Sequence, residues 1–498
     1  MSGKYYNPNG PRRKKKMTVG RFLKRYSFWL VAAVLFVFCV VVTVGIVKEI
    51  VGPKNPQDSQ LSTEQGGIDG SNPSNGADST QSTQSGPSKE VLAVLDEAKN
   101  LANGYDYVAA IELLRSFEGY ETQQEIVDTI ALYEEQDDKL VSQTKQQLNN
   151  VPHIFFHSLI VDADRAFDGD GEEDGYNLYM CTTAEFVSIM EQMYQNGYVL
   201  VNPHHIAYEV TDETGTHMVY GDIRLPAGKK PFLLSQDDLN YYSYMIGVGD
   251  GKNETPIFVD KTGDGFAHKV VIDENGYPVC EYMDADGNIH VGDYDLVPLL
   301  EKFIQEHPGF SYKGARAMLG VTGYEGVFGY RTKPSYEGKM GTEAYQKEVE
   351  QAKQVAQCLR DHGWIIASHS YGHPRYGDLT AGRVDADSTR WENTVQVIVG
   401  DTDVILYPHG SDINSWRQYS FANEKYKILY EDGYRYFFNV DSTIGWTQIT
   451  DTSFRGGRVN IDGYRMWNSA EKLAVFFDVE SVFDPRRPTP VPPLSGSM

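Results

Sequence analysis

The sequence predicts an α/β domain on a parallel sheet across residues 151–485, held outside a membrane by an N-terminal anchor. Three observations predict it. From residue 151 onward short apolar runs alternate with amphipathic stretches. Near the N-terminus lies a run of twenty residues without a charge. Between the two the composition collapses to small polar residues.

The uncharged run, Phe28 to Val47, is about 30 Å long as a helix and predicts a membrane span. Residues 1–27 precede it with Lys4, Arg12, Arg13, Lys14, Lys15, Lys16, Arg21, Lys24 and Arg25 and no acid, which places the N-terminus in the cytoplasm and the rest outside. A cleaved signal peptide is the competing reading. The run is long for one, and no small-x-small site follows in Lys48 to Gly52. Residues 52–88 contain only Leu61, Ile68 and Ala77 as apolar side chains, so they predict a flexible linker with a mean span of roughly 35 Å.

Residues 89–149 carry apolar side chains at helical spacing (Val91, Leu92, Val94, Leu95, Ala98; Val108, Ile111, Leu114; Ile126, Ile130, Tyr133), broken near Gly104 and Gly119. They predict two or three helices, as a spacer or a docking hairpin. The large domain opens at Val151-Pro152-His153-Ile154-Phe155-Phe156-His157, a buried-strand pattern. Helices follow at Glu185–Tyr194, Leu296–Glu306 and Gly341–His362, and strands at Tyr198–Val201, Phe232–Leu234, Ala315–Val321, Trp364–Ala367, Val404–Tyr407 and Tyr434–Val440. An insertion, residues 248–294, has Gly and Asp turns and alternating apolar residues that predict β-hairpins. Two acidic stretches, 164–174 and 260–265, lack the calcium-loop ligand pattern and read as solvated turns. Residues 486–498 form a Pro-rich tail.

Residues 1–50 have a net charge of +9 against a whole-chain value of −24, leaving −33 on the remainder. Nucleic acid is thereby excluded as a partner. An acidic outer domain with most of the chain's 33 tyrosines suits a neutral or partly cationic glycan. The four cysteines, Cys39, Cys181, Cys280 and Cys358, show neither disulfide nor metal spacing.

Two motifs carry chemistry. Ser235-Gln236-Asp237-Asp238 ends one apolar run, and His369-Ser370-Tyr371-Gly372-His373-Pro374 follows another. Together they supply one carboxylate and two imidazoles for a divalent metal, with a second carboxylate as a base. Both fall at C-terminal ends of predicted strands, where α/β barrels place their sites.

The pair resembles the first two motifs of the polysaccharide deacetylases (the NodB homology domain, carbohydrate esterase family 4), Thr-Phe-Asp-Asp and His-Ser/Thr-x-x-His-Pro. The second motif matches in full and the first in its two aspartates. The opening at Val151 also resembles the family's Val-Pro-x-x-x-Tyr-His start. The resemblance sharpens the fold to a distorted (β/α) barrel. It implies Asp237 as catalytic base and Asp238, His369 and His373 as ligands of a divalent metal, zinc first among them. It implies hydrolysis of an N-acetyl amide on a cell-envelope polysaccharide such as peptidoglycan; an O-acetyl ester remains open.

Three further motifs depart from the family. Leu406-Tyr407-Pro408-His409-Gly410 stands for Arg-x-Pro-Tyr-Gly. The arginine that orients the base is replaced by Leu406, with Arg331 and Arg375 as candidate substitutes, and His409 can lend its backbone N–H to an oxyanion. Asp441 and Trp446 correspond to an acetate-pocket motif, and Tyr371 is a further substrate-binding candidate. The family's last motif, a general-acid histidine, has no counterpart, because no histidine follows His409. His409 is therefore the first candidate for the acid. The alternative is an impaired deacetylase-like domain that binds glycan without turnover.

Overall fold

The structure is a computed structural model and describes residues 87–169, 171–246, 263–441 and 443–494. The basic tail, the membrane span Phe28–Val47, the linker up to residue 86 and residues 247–262 of the insertion lie outside the described residues. Among the described residues no helix is long and apolar enough to cross a membrane.

Three helices come first: α1 (Lys89–Asn103), α2 (Tyr107–Ser116) and α3 (Gln124–Asp138). Ser88 caps α1 by accepting the Val91 N–H at 3.3 Å. Val91, Ala98, Ala102, Ala110, Ile111, Leu114, Ile126 and Ile130 form their shared core. The unit is docked on the large domain. Asp137 accepts two bonds of 2.8 Å from Arg224, Lys313 lies 3.0 Å from Asp106, and the Tyr105 hydroxyl donates to the Gly309 carbonyl at 2.7 Å. Val141–Ser142 adds a short antiparallel pairing with Arg224–Leu225. The helices therefore form a docked hairpin unit and not a free spacer.

Seven parallel strands close into a barrel: β1 (His153–Phe156), β2 (Lys230–Gln236), β3 (Met318–Val321), β4 (Ile365–Ser368), β5 (Val404–Leu406), β6 (Tyr436–Val440) and β7 (Phe454–Asn460). The ring shuts through β7–β1 and through β1–β2–β3. Period-two alternation decides which side chains fill it. Leu233, Met318, Ala367, Val404, Leu406, Tyr436, Phe438 and Phe454 cluster inside. Their neighbours Leu234, Leu319, Ile366 and Val459 face outward against helices. Those helices include α4 (Thr183–Gln195), α5 (Leu296–Glu306), α6 (Thr342–Asp361) and α7 (Ala381–Trp391). A capping box starts α4: Thr182 accepts from the Glu185 N–H while Glu185 accepts from that of Thr182.

Four parts of the sequence reading change. The strand expected at Tyr198–Val201 spans Tyr198–Leu200 and stays outside the ring, pairing with Lys230–Phe232, the end of β2 that reaches beyond β1 and β3. Strand β7, which the sequence reading passes over, completes the barrel. The insertion does carry the expected hairpins, as a three-stranded antiparallel sheet of Ala267–Ile272, Pro278–Met283 and Ile289–Gly292. Its turns close on Asp273 and Asp284, each accepting backbone N–H groups two and four residues on. The supposed solvated turn at 260–265 holds a buried Asp264 that accepts the Tyr176 hydroxyl at 2.5 Å, and Glu173–Tyr179 within the other acidic stretch starts a helix. Finally, residues 486–491 are no tail: Arg487 is buried, with bonds of 2.6 and 2.7 Å to Glu185, and Val491 is buried behind it.

Candidate metal centre

The barrel's alternation runs past the ends of its strands. Leu233 and Ser235 point inward, and the next inward position is Asp237; Ala367 leads in the same way to His369, and Phe454 and Gly456 to Arg458. Asp238, Ser370, His373 and His409 are held at φ of 58°, 61°, 55° and 56°, left-handed geometry that non-glycine residues adopt at a cost of roughly 1–3 kcal/mol each. Such strain persists only where surrounding contacts impose it.

Those contacts bring three donors together. His369 Nε2 and His373 Nε2 are 3.2 Å apart, and Asp238 Oδ2 lies 3.9 and 3.6 Å from them. Ligand atoms about 2.05 Å from one tetrahedral zinc stand roughly 3.3 Å apart, so the group fits such an ion. Among the described residues, Asp238, His369 and His373 are the one cluster of at least three potential ligands that converges in this way.

Outer contacts fix each donor. His369 Nδ1 donates to the Leu406 carbonyl at 2.7 Å, which leaves Nε2 free for a metal. The residue that replaces the family's arginine thus contributes through its backbone. Asp238 Oδ1 accepts the Tyr242 hydroxyl at 2.6 Å, and that hydroxyl is 2.9 Å from Thr322 Oγ1. Asp387 holds the histidine loop by accepting the N–H groups of Tyr371 and Gly372 and the Tyr376 hydroxyl at 2.9–3.0 Å. Burial works to raise the Asp238 carboxyl, but His373 and His369 outweigh it and hold it below the usual range. Burial likewise lowers the His373 imidazole, which favours the neutral form that binds metals.

Asp237 is the second carboxylate. It is 3 % exposed, with Oδ2 3.9 Å from His369 Nε2 and Oδ1 accepting a 2.6 Å bond from Arg458 Nη1. Burial alone would raise this carboxyl; the Arg458 charge, then that of His369, drives it well below the usual carboxylate range. Arg458 itself has no exposure, reaches Ser235 at 3.3 Å and lies over the Phe155 ring. Ser235 in turn is 2.9 Å from His153 Nε2. Neither candidate for the missing arginine takes this place. Arg331 donates to the Tyr241 carbonyl and lies 3.5 Å from Glu325, while Arg375 acts on His409. The signal for Arg458 was the inward spacing Phe454, Gly456, Arg458 on a strand whose glycines hide it from a hydropathy reading.

The other expected residues divide. His409 lies edge-on to His373, with ring centroids 4.5 Å apart. His157, absent from the expected site, follows β1 directly. The register of β1 and β2, Phe156 opposite Gln236, sets it beside Asp237, and its Nδ1 lies 3.1 Å from the Tyr179 carbonyl. Tyr371 is only 5 % exposed, packed into the outer core beneath the Arg390 guanidinium, so the structure does not offer it to a substrate. Asp441 follows β6 at the barrel mouth, where Oδ1 accepts the Thr443 N–H. The Trp446 ring lies 5.4 Å from the Arg455 guanidinium, which donates to Asp412. Asp441 and Trp446 meet at β7, where the Asp441 carboxylate stands against Gly457 and the Trp446 carbonyl accepts the Gly457 N–H at 3.1 Å.

No curated protein matches the chain. Among solved structures, the Streptococcus pyogenes deacetylase PplD in complex with acetate aligns with 65 % of this chain and 94 % of its own, at 14 % identity and a TM-score of 0.33, too weak a likeness to carry weight. Residues 341–434 match the family model described as polysaccharide deacetylase. That span holds α6, β4, His369, His373 and His409, and over it the chain is similar to the polysaccharide deacetylases, the family its motifs resemble.

Proposed function

We propose that the chain is a metal-dependent hydrolase that removes N-acetyl groups from a cell-envelope polysaccharide, peptidoglycan being the nearest candidate. The observation that carries this reading is the buried Asp237–Arg458 pair 3.9 Å from a convergent Asp238–His369–His373 group. A zinc ion on those three donors would polarise the acetyl carbonyl and acidify a water. Asp237, kept ionised by Arg458, takes the proton of the attacking water through Oδ2, while Arg458 occupies Oδ1. The His409 backbone N–H, turned by its left-handed geometry beside His373, stabilises the acyl oxygen. When the carbon–nitrogen bond breaks, His157 Nε2 delivers a proton to the nitrogen, leaving a free amine and acetate. Its Nδ1–H stays on the Tyr179 carbonyl.

His157 is preferred to His409 as the acid because the strand register sets it next to Asp237, whereas the His409 ring buttresses His373. His157→Ala is expected to slow acetate release from N-acetylated oligosaccharides by roughly 10²–10⁴-fold, and His409→Ala by much less. The reverse ranking in steady-state rates would return the acid role to His409. The non-catalytic glycan-binding alternative rests on a missing arginine and a missing histidine; on the reading proposed here Arg458 and His157 take those two parts.

A further inference from the structure

We propose that Tyr244 and Tyr324 form a sugar-stacking subsite beside the metal centre, which takes an uncharged pyranose neighbouring the acetylated residue. This rests on the glycan reading of the site. Tyr242, whose hydroxyl bonds Asp238, is the hub. Its ring is stacked with that of Tyr244 at 6.0 Å and 14°, and meets that of Tyr324 edge-on at 5.8 Å and 81°. Tyr242 is partly buried, but Tyr244 and Tyr324 are 53 % and 54 % exposed; Tyr242 covers one face of Tyr244, and the Lys333 ammonium lies over the Tyr324 ring at 5.1 Å. They stand after β2 and after β3, at the end of the barrel that carries the ligands. Ring faces cover the C–H faces of sugars, and continuity with Asp238 through one ring puts that platform next to the reacting residue.

The platform is also held rigid. Glu325, next to Tyr324, accepts the Ser243 N–H and hydroxyl at 2.7 Å each, and is itself 3.5 Å from buried Arg331. The two loops are thus clamped to one another beside their exposed rings, so little ordering entropy is lost when a ligand covers them.

The test is titration calorimetry of the zinc-loaded full-length Asp237→Asn chain, which does not turn over, with penta-N-acetylchitopentaose. Tyr244→Ala and Tyr324→Ala in that background are expected to weaken binding roughly fivefold to tenfold each. Tyr244→Phe and Tyr324→Phe should keep the affinity, because the ring and not the hydroxyl makes the contact. Tyr208, 45 % exposed on the distant hairpin that begins at Ala207, is the control, and Tyr208→Ala should bind like the parent. Binding by the parent with less than a twofold loss in both alanine variants would overturn the subsite alone. No binding by the parent would overturn it together with the glycan reading.

Discussion

Asp237→Asn is expected to cut acetate release by roughly 10²–10⁴-fold while zinc content stays unchanged. The two effects separate because the two aspartates face different partners. Asp238 Oδ2 converges with both histidine Nε2 atoms, at 3.6 Å from His373 and 3.9 Å from His369, whereas Asp237 is left out of that group and its Oδ1 is taken by Arg458 at 2.6 Å. An asparagine still accepts the Arg458 hydrogen bond but cannot take a proton. His369→Ala removes a ligand instead, so it should lose metal and activity together. Metal analysis alongside rates separates the variants, and loss of zinc in Asp237→Asn would mean that Asp237 is itself a ligand.

Arg458→Met carries the second large effect. It leaves a carboxylate buried without its cation, and removing one partner of such a pair costs roughly 3–5 kcal/mol. The sign with pH follows from Asp237. In the native chain Arg458 drives the folded carboxyl below its unfolded value, so the pair stabilises above the unfolded pKa and that contribution fades as pH falls. Without Arg458, burial dominates and raises the folded carboxyl, so the variant should lose stability as pH rises through that value. Denaturation at pH 4 and pH 7 should show the larger deficit at pH 7. Adding Asp237→Asn should recover much of it, since no buried charge then lacks a partner. A deficit independent of pH and unrelieved in the double variant would mean that the side chain acts only by its bulk.

The parts of the site legible in the sequence were those whose members are neighbours in the chain. Asp237 beside Asp238, and His369 four residues before His373, are recognisable because one loop must deliver both groups. Arg458 and His157 come from the two strands that close the ring, about 300 residues apart, and only the β7–β1 pairing places them by the same carboxylate. The strand that carries Arg458 was hidden by its own function. Gly456 and Gly457 lie so near the Phe438 ring and the Asp441 carboxylate that a side chain would have no room, and the inward Arg458 removes the apolar run a buried strand usually shows. Helix α5 was read to the residue and α6 to within one at each end, because amphipathic spacing is local. The place of Tyr198–Leu200 outside the ring depends on strand register, which spacing does not encode.

Acetate release by the full-length protein from N-acetylated oligosaccharides, measured as isolated, after chelation and after zinc is returned, tests the central claim most directly. The expected result is release that falls to background on chelation and recovers with about one zinc per chain, as the one convergent group among the described residues, Asp238–His369–His373, requires. Release that is indifferent to chelation, or no release with one zinc bound, would contradict it.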